Sequence, residues 1–236
     1  MKILKEYLKG LKGGIPICLG YISVSFAFGI MAVKGGISWL YAVLISLTNV
    51  TSAGQFAGID IISSNGGLVE LALATFIINI RYLLMSLSLS QKIEPQTGTL
   101  KRLIMSFGIT DENFALAMQR QCPVSFSYYF GIMTLPILGW TFGTFLGGFA
   151  GSVLPESVRL ALGMAIYAMF IAIIVPPAKR AKPILFVILM AVAASCIISI
   201  TPILCNLSGG WRVIISTVFA AGSGAFMYPE KEGDSV

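Results

Sequence analysis

Long apolar stretches, separated by short polar ones, run through the whole chain. Eight of them lie near residues 14–33, 37–59, 67–90, 103–119, 127–150, 158–177, 183–204 and 211–228. Most reach the roughly 20 residues that a helix needs to cross a bilayer core of about 30 Å. They are apolar all round and lack the polar stripe of a surface helix, which predicts spans in lipid. The segment 103–119 is the shortest and most polar. The predicted fold is all-α, a polytopic integral membrane helix bundle with about 7–8 hydrophobic segments. A basic tail at 1–13 leads into a single transmembrane domain at 14–228, and a polar tail follows at 229–236. The basic start resembles a signal peptide. The apolar run behind it is about 20 residues long and lacks a small-x-small cleavage pattern, so it reads as a retained first span.

Composition sharpens this picture. The chain holds 16 Lys and Arg and 10 Asp and Glu among 236 residues, and 56% of it is hydrophobic. Charged residues make up 11%, against about 25% in soluble chains. An ordinary soluble enzyme and a disordered chain are both excluded. The absence of His removes His-ligated zinc, Ser–His–Asp triads and imidazole relays. Cys18, Cys122, Cys196 and Cys205 show no CxxC spacing, so neither a disulfide framework nor a metal site is expected. No cofactor is implied. No Walker motif is present, so this chain does not use ATP.

The placement of the charges carries more than their sum. Lys2, Lys5, Lys9 and Lys12 outweigh Glu6 in the first tail, and Lys179, Arg180 and Lys182 form a second cluster. Basic loops stay in the cytoplasm. An even number of segments separates the two clusters, so both fit inside. The connection 92–102, with Lys92, Lys101 and Arg102 against Glu94, follows three segments. If every segment crosses once, this loop is outside and breaks the rule. If 37–59 and 103–119 are broken or re-entrant, it is inside and the rule holds. Both segments are polar at membrane depth, through Thr48-Asn49-Val50-Thr51-Ser52-Ala53-Gly54-Gln55 and Thr110-Asp111-Glu112-Asn113. Such breaks are tolerated where they line a cavity. With the charges in tails and connections, the net +6 is no argument for nucleic acid.

Glu70, Arg81, Asp111 and Glu112 fall inside apolar runs, and a charge there is a functional suspect. Glu70 is close enough to its segment end to reach the interface. Arg81, beside Asn79, offers a planar fork to a carboxylate. Its partner is either a transported solute or Asp111 or Glu112, and the two could alternate. Asp111 is also placed to N-cap a half-helix that starts at Glu112. Thr48, Thr51, Ser52 and Gln55 recur at i, i+3, i+4 and i+7, which predicts one polar helical face, with Asn49 beside it. Gly139, Gly143, Gly147 and Gly151 form a face without side chains. It serves either an internal helix contact or the docking of a second subunit.

Three of these stretches together resemble the AzlC family, the large subunit of bacterial branched-chain amino acid exporters. Ser52-Ala53-Gly54-Gln55-Phe56 resembles its small-small-Gly-Gln-Phe signature, and Asn79-Ile80-Arg81-Tyr82-Leu83-Leu84 resembles its Asn-x-Arg-His-x-Leu motif. Thr110-Asp111-Glu112-Asn113-Phe114-Ala115 resembles its Thr-Asp-Glu-x-Phe-Ala motif. The resemblance covers about residues 10–205. Tyr82 departs from it, standing where the family usually has His. The resemblance implies a bacterial cytoplasmic-membrane permease, and the basic first tail predicts a cytoplasmic N-terminus. It implies export of branched-chain or similar apolar amino acids with a small AzlD-type membrane partner. The substrate-binding or coupling residues would be Thr48, Asn49, Thr51, Ser52, Gln55, Asn79, Arg81, Asp111, Glu112 and Asn113. The competing readings are a membrane enzyme using Asp111 and Glu112 as acid and base, and a channel-forming or structural subunit.

Overall fold

A computed structural model describes residues 2–150, 181–201 and 209–228 continuously, with isolated positions at 155–179 and 204–207. Among the described residues the secondary structure is helical, with one isolated β-bridge. The helices are α1 (Lys2–Lys34), α2 (Trp39–Thr48), α3 (Ala53–Ser63), α4 (Leu68–Lys92), α5 (Thr99–Phe107), α6 (Asp111–Met118) and α7 (Phe126–Ala150), then α8 (Lys182–Ile200) and α9 (Gly209–Met227). Among the described residues α1, α4, α7 and α8 are long and apolar enough to cross a membrane. Apart from those isolated positions, the segment 158–177 lies outside the described residues, as does the tail 229–236.

The basic tail is helical and continuous with the first span. At about 1.5 Å per residue, α1 is about 50 Å long, well beyond a bilayer core. Its chain numbers rise together with those of α7, so the two helices run parallel. A Cβ on Gly139 would stand 3.0 Å from the Cys18 carbonyl, and one on Gly14 would stand 2.6 Å from the Ile132 carbonyl. Gly143 faces Ile22, Gly147 faces Phe26 and Gly29 faces Thr144 at equally close range. Backbones come this near only where side chains are absent. α1 therefore covers Gly139, Gly143 and Gly147, and the docking alternative falls for these three. Gly151 lies outside the described residues.

Both polar segments break. After Thr48, the run Asn49-Val50-Thr51-Ser52 favours local hydrogen bonds or extended backbone over helix. Asn49 is extended at φ −145°, and Ser52 is left-handed at φ +48°. The four-residue polar face expected from the spacing is thereby lost, because it needs a continuous helix. The second break follows Gly108 and ends at Thr110, whose Oγ1 accepts from the Asn113 amide at 3.3 Å. Thr110, not Asp111, is the N-cap. Asp111 and Glu112 occupy the first turn of α6 instead, where the helix dipole favours carboxylates.

The second broken pair returns to the end at which it starts. Glu6 on α1 forms an ion pair with Arg120, just past α6. Lys92, the last residue of α4, donates to the Met118 carbonyl. Val124 donates to the Lys92 carbonyl at 2.8 Å, and Glu94 donates to Val124 at 3.1 Å. The start of α1, the 92–102 connection and both ends of α5–α6 therefore share one end of this bundle. α1 leaves that end and α4 comes back to it, so α2 and α3 between them make no net crossing. This is the arrangement in which the clusters Lys2–Lys12 and Lys92–Arg102 obey the charge rule together. An impermeant maleimide is expected to label Lys5→Cys and Gln96→Cys from the same side of the membrane. Labelling from opposite sides would restore eight straight spans.

By contacts the chain forms two compact units, Met1–Phe56 with Ile78–Ile166, and Ala57–Ile77 with Tyr167–Val236. In the second unit Ile61, Ala74 and Ile214 form a small core, and Val187 packs at Gly224. Glu70 belongs here. It lies in the first turn of α4 and is 6% exposed, packed at Gly66 and Gly210. Glycine at both positions leaves room for a buried carboxylate next to the backbone.

Candidate transport site

The first unit brings both helix breaks to the middle of α4. Arg81 Nη1 lies 2.6 Å from Asp111 Oδ2, which resolves the choice of internal partner in favour of Asp111. Glu112, about 100° further round α6, takes a different partner and accepts from the Tyr21 hydroxyl of α1. Tyr82 stands over the other break. Its hydroxyl accepts from Arg81 Nη2 at 3.4 Å and donates to the Thr51 carbonyl at 3.3 Å. Consecutive residues of one straight helix thus hold the α5–α6 break through Asp111 and the α2–α3 break through Thr51.

The predicted residues do not all meet. Thr48 is exposed and donates to the Leu44 carbonyl of its own helix at 2.7 Å. Asn49 closes α2, its amide donating to Ile45. Thr51 and Asn79 come together at Gly54. Gln55 lies in a buried relay with Ser46 and Thr144, at 3.1 and 2.7 Å. Asn113 is fully buried and donates to the Gly108 carbonyl at 2.9 Å, which ties down the second break. Thr51 Oγ1, Ser52 Oγ, Gln55 Oε1, Asn79 Oδ1, Arg81 Nε and Asn113 Oδ1 are buried without hydrogen-bond partners. Buried polar atoms are normally paired, so a group of orphans at the two breaks and on the stretch of α4 beside them marks a place that suits a polar ligand.

Two residues of the site escaped the sequence. Tyr21 lies on a span with many small residues, and a lone Tyr there is usually core. It packs edge-on against Trp140 at 5.3 Å while its hydroxyl reaches Glu112. Ser46 sits in an apolar helix, and only the fold supplies its partners. Tyr82 was noted solely as a departure, yet it links the two breaks.

The sequence pattern described as "AzlC protein" matches residues 16–154, which include both breaks, α4 and α7. The chain belongs to the AzlC family. An "Inner membrane protein YgaZ" of Escherichia coli K12 is 31% identical to it over 181 residues, 74% of each chain. An "Uncharacterized membrane protein" of Archaeoglobus fulgidus is 32% identical over 175 residues, 73% of this chain and 76% of its own. The "Branched-chain amino acid transport protein AzlC" of Bacillus subtilis is 26% identical over 171 residues, 71% of this chain and 66% of its own. No solved structure matches. With its apolar helices, this AzlC-family chain is a multi-pass membrane protein, and the family supports a role in membrane transport.

Proposed function

We propose that this chain is the large subunit of an exporter of branched-chain or similar apolar amino acids, working by secondary transport and not as an enzyme. In this reading it acts with a small AzlD-type membrane subunit, in the bacterial cytoplasmic membrane, with its N-terminus in the cytoplasm. The observation that carries the reading is the Arg81–Asp111 pair. It joins a mid-helix guanidinium to the first turn of a half-helix, yet the two side chains are 38% and 34% exposed. The exposed faces of the pair leave the guanidinium open to a second ligand. A solute carboxylate has the same two-oxygen face as Asp111 and can take its place on the guanidinium fork. The released Asp111 stays at the N-terminus of α6, where the dipole still favours it. The apolar side chain of the substrate is inferred from the name of the Bacillus relative.

The two breaks suit alternating access. Tyr82 ties one of them and Asp111 the other to neighbouring positions on α4. Replacing Asp111 by a solute loosens the α5–α6 pair while the Tyr82 link to Thr51 is kept. The test is efflux of radiolabelled leucine or valine from loaded vesicles that carry the chain and its partner. Efflux no faster than from empty vesicles would overturn the proposal. In the same assay Asp111→Asn keeps the shape but loses the charge-assisted bond, and a fall of about tenfold in efflux is expected. Unchanged efflux would make Asp111 structural.

A further inference from the structure

The α2–α3 break holds more buried oxygen than its own hydrogen bonds satisfy. Thr51 Oγ1, Ser52 Oγ, Gln55 Oε1 and Asn79 Oδ1 are all buried and unpartnered. The orientation of Gln55 follows from its neighbours. The Thr144 hydroxyl donates to the Trp140 carbonyl at 3.0 Å, so toward Ser46 its oxygen acts as acceptor. Ser46 gives its one proton to Thr144, so its own oxygen accepts from Gln55 Nε2 at 3.1 Å. The amide carbonyl of Gln55 is therefore the unpartnered end, on a residue only 3% exposed. A carbonyl oxygen accepts and never donates, so only a donor or a cation can satisfy it.

Two of these oxygens, Thr51 Oγ1 and Asn79 Oδ1, meet at Gly54. A point at the position of a Cβ on Gly54 lies 2.7 Å from Thr51 Oγ1, 3.1 Å from Asn79 Oδ1 and 3.3 Å from Asn79 Nδ2, so the Asn79 side chain presents its oxygen as the nearer end. Glycine leaves that point free, and Ser52 and Gln55 flank it along the chain. α2 ends on the same break, where its last carbonyls have no next turn to bond and carry the negative end of the helix dipole. Arg81, two residues along α4 from Asn79, has its charge matched by Asp111 at 2.6 Å. The set is thus made of neutral side-chain oxygens between the C-terminal end of α2 and the first turn of α3, with no carboxylate among them. Such a set suits a single positive charge, and unwound helices in membranes hold cations in this way.

We propose that Thr51, Ser52, Gln55 and Asn79 at the α2–α3 break hold a compact monovalent cation, either a free sodium ion or the ammonium group of the transported amino acid. Only the second source rests on the transport reading above. Thermal unfolding of the full chain in detergent separates the two. Sodium chloride replacing choline chloride at equal ionic strength raises Tm by about 3 °C or more if the cation is a free ion. Leucine in choline buffer does so, and 4-methylpentanoate, which lacks the amine, does not, if the cation is the ammonium. In either case Thr51→Val and Gly54→Ala remove the rise. The rise surviving in both variants overturns the site. Equilibrium binding of radiolabelled sodium and leucine to the unaltered chain needs no variant, and absence of both overturns the site as well. Sodium stabilisation without any amino acid efflux would leave the cation site standing and sink the transport reading alone.

Discussion

Arg81→Ala is expected to abolish amino acid efflux while the chain still inserts and purifies. The substitution removes the planar fork that meets a carboxylate and leaves Asp111 without its partner at 2.6 Å. A charge-assisted hydrogen bond contributes about 1.5–3 kcal/mol, which is about a tenfold to hundredfold loss of binding per bond. The partial exposure of this pair places its own stability term at the low end of that range. Insertion survives because removing a charge from the middle of α4 makes the helix more apolar. Arg81→Lys should recover little, since a point charge cannot make the two-point contact. Efflux counts with membrane yields measured on the same preparations check this. Wild-type efflux from Arg81→Ala would take the residue out of the site.

Gly143→Leu is expected to cost the fold its main helix pair. A Cβ at this position already meets the Ile22 carbonyl and the Ser25 hydroxyl, and a whole isobutyl group has nowhere to go. Overpacking of this kind costs about 1–3 kcal/mol where neighbours can yield, and here the neighbour is backbone. A drop in Tm of about 5 °C or more, or loss of a monodisperse peak in detergent, is expected. Tyr21, next to Ile22, would be carried off Glu112, so efflux should fall in any fraction that folds. Gly20→Leu is the control. A Cβ on Gly20 meets nothing within 4 Å, so this variant should behave as wild type. Equal damage from both would show that α1 tolerates no bulk anywhere and that the stripe is not special.

Much of the site could be read from residue types alone. A charge inside an apolar run has few explanations, so Arg81, Asp111 and Glu112 stand out from the sequence alone. The breaks were candidates for a related reason: the runs Thr48–Gln55 and Thr110–Asn113 are polar at membrane depth, and breaking both segments lets the basic loops share one side. The periodicity reading failed at one of those same breaks. It set Thr48, Thr51, Ser52 and Gln55 on one helical face, and spacing carries that meaning only while the helix continues. For Glu70, distance from a segment end says nothing about what packs there, and its glycine neighbours come from positions 66 and 210.

By itself, then, the sequence determined that this is a membrane helix bundle, where its charges concentrate and which two segments were candidates to break. Those are local properties, set by transfer energies and backbone preferences over a few residues. The tertiary structure decided which groups meet: Arg81 with Asp111, Glu112 with Tyr21, Tyr82 with Thr51, and the glycine stripe with α1. It also decided that α5 and α6 return to the end they start from. Pairings across 30 to 120 residues depend on how helices pack, and in lipid that packing is set by close backbone contact, to which one-dimensional patterns are blind.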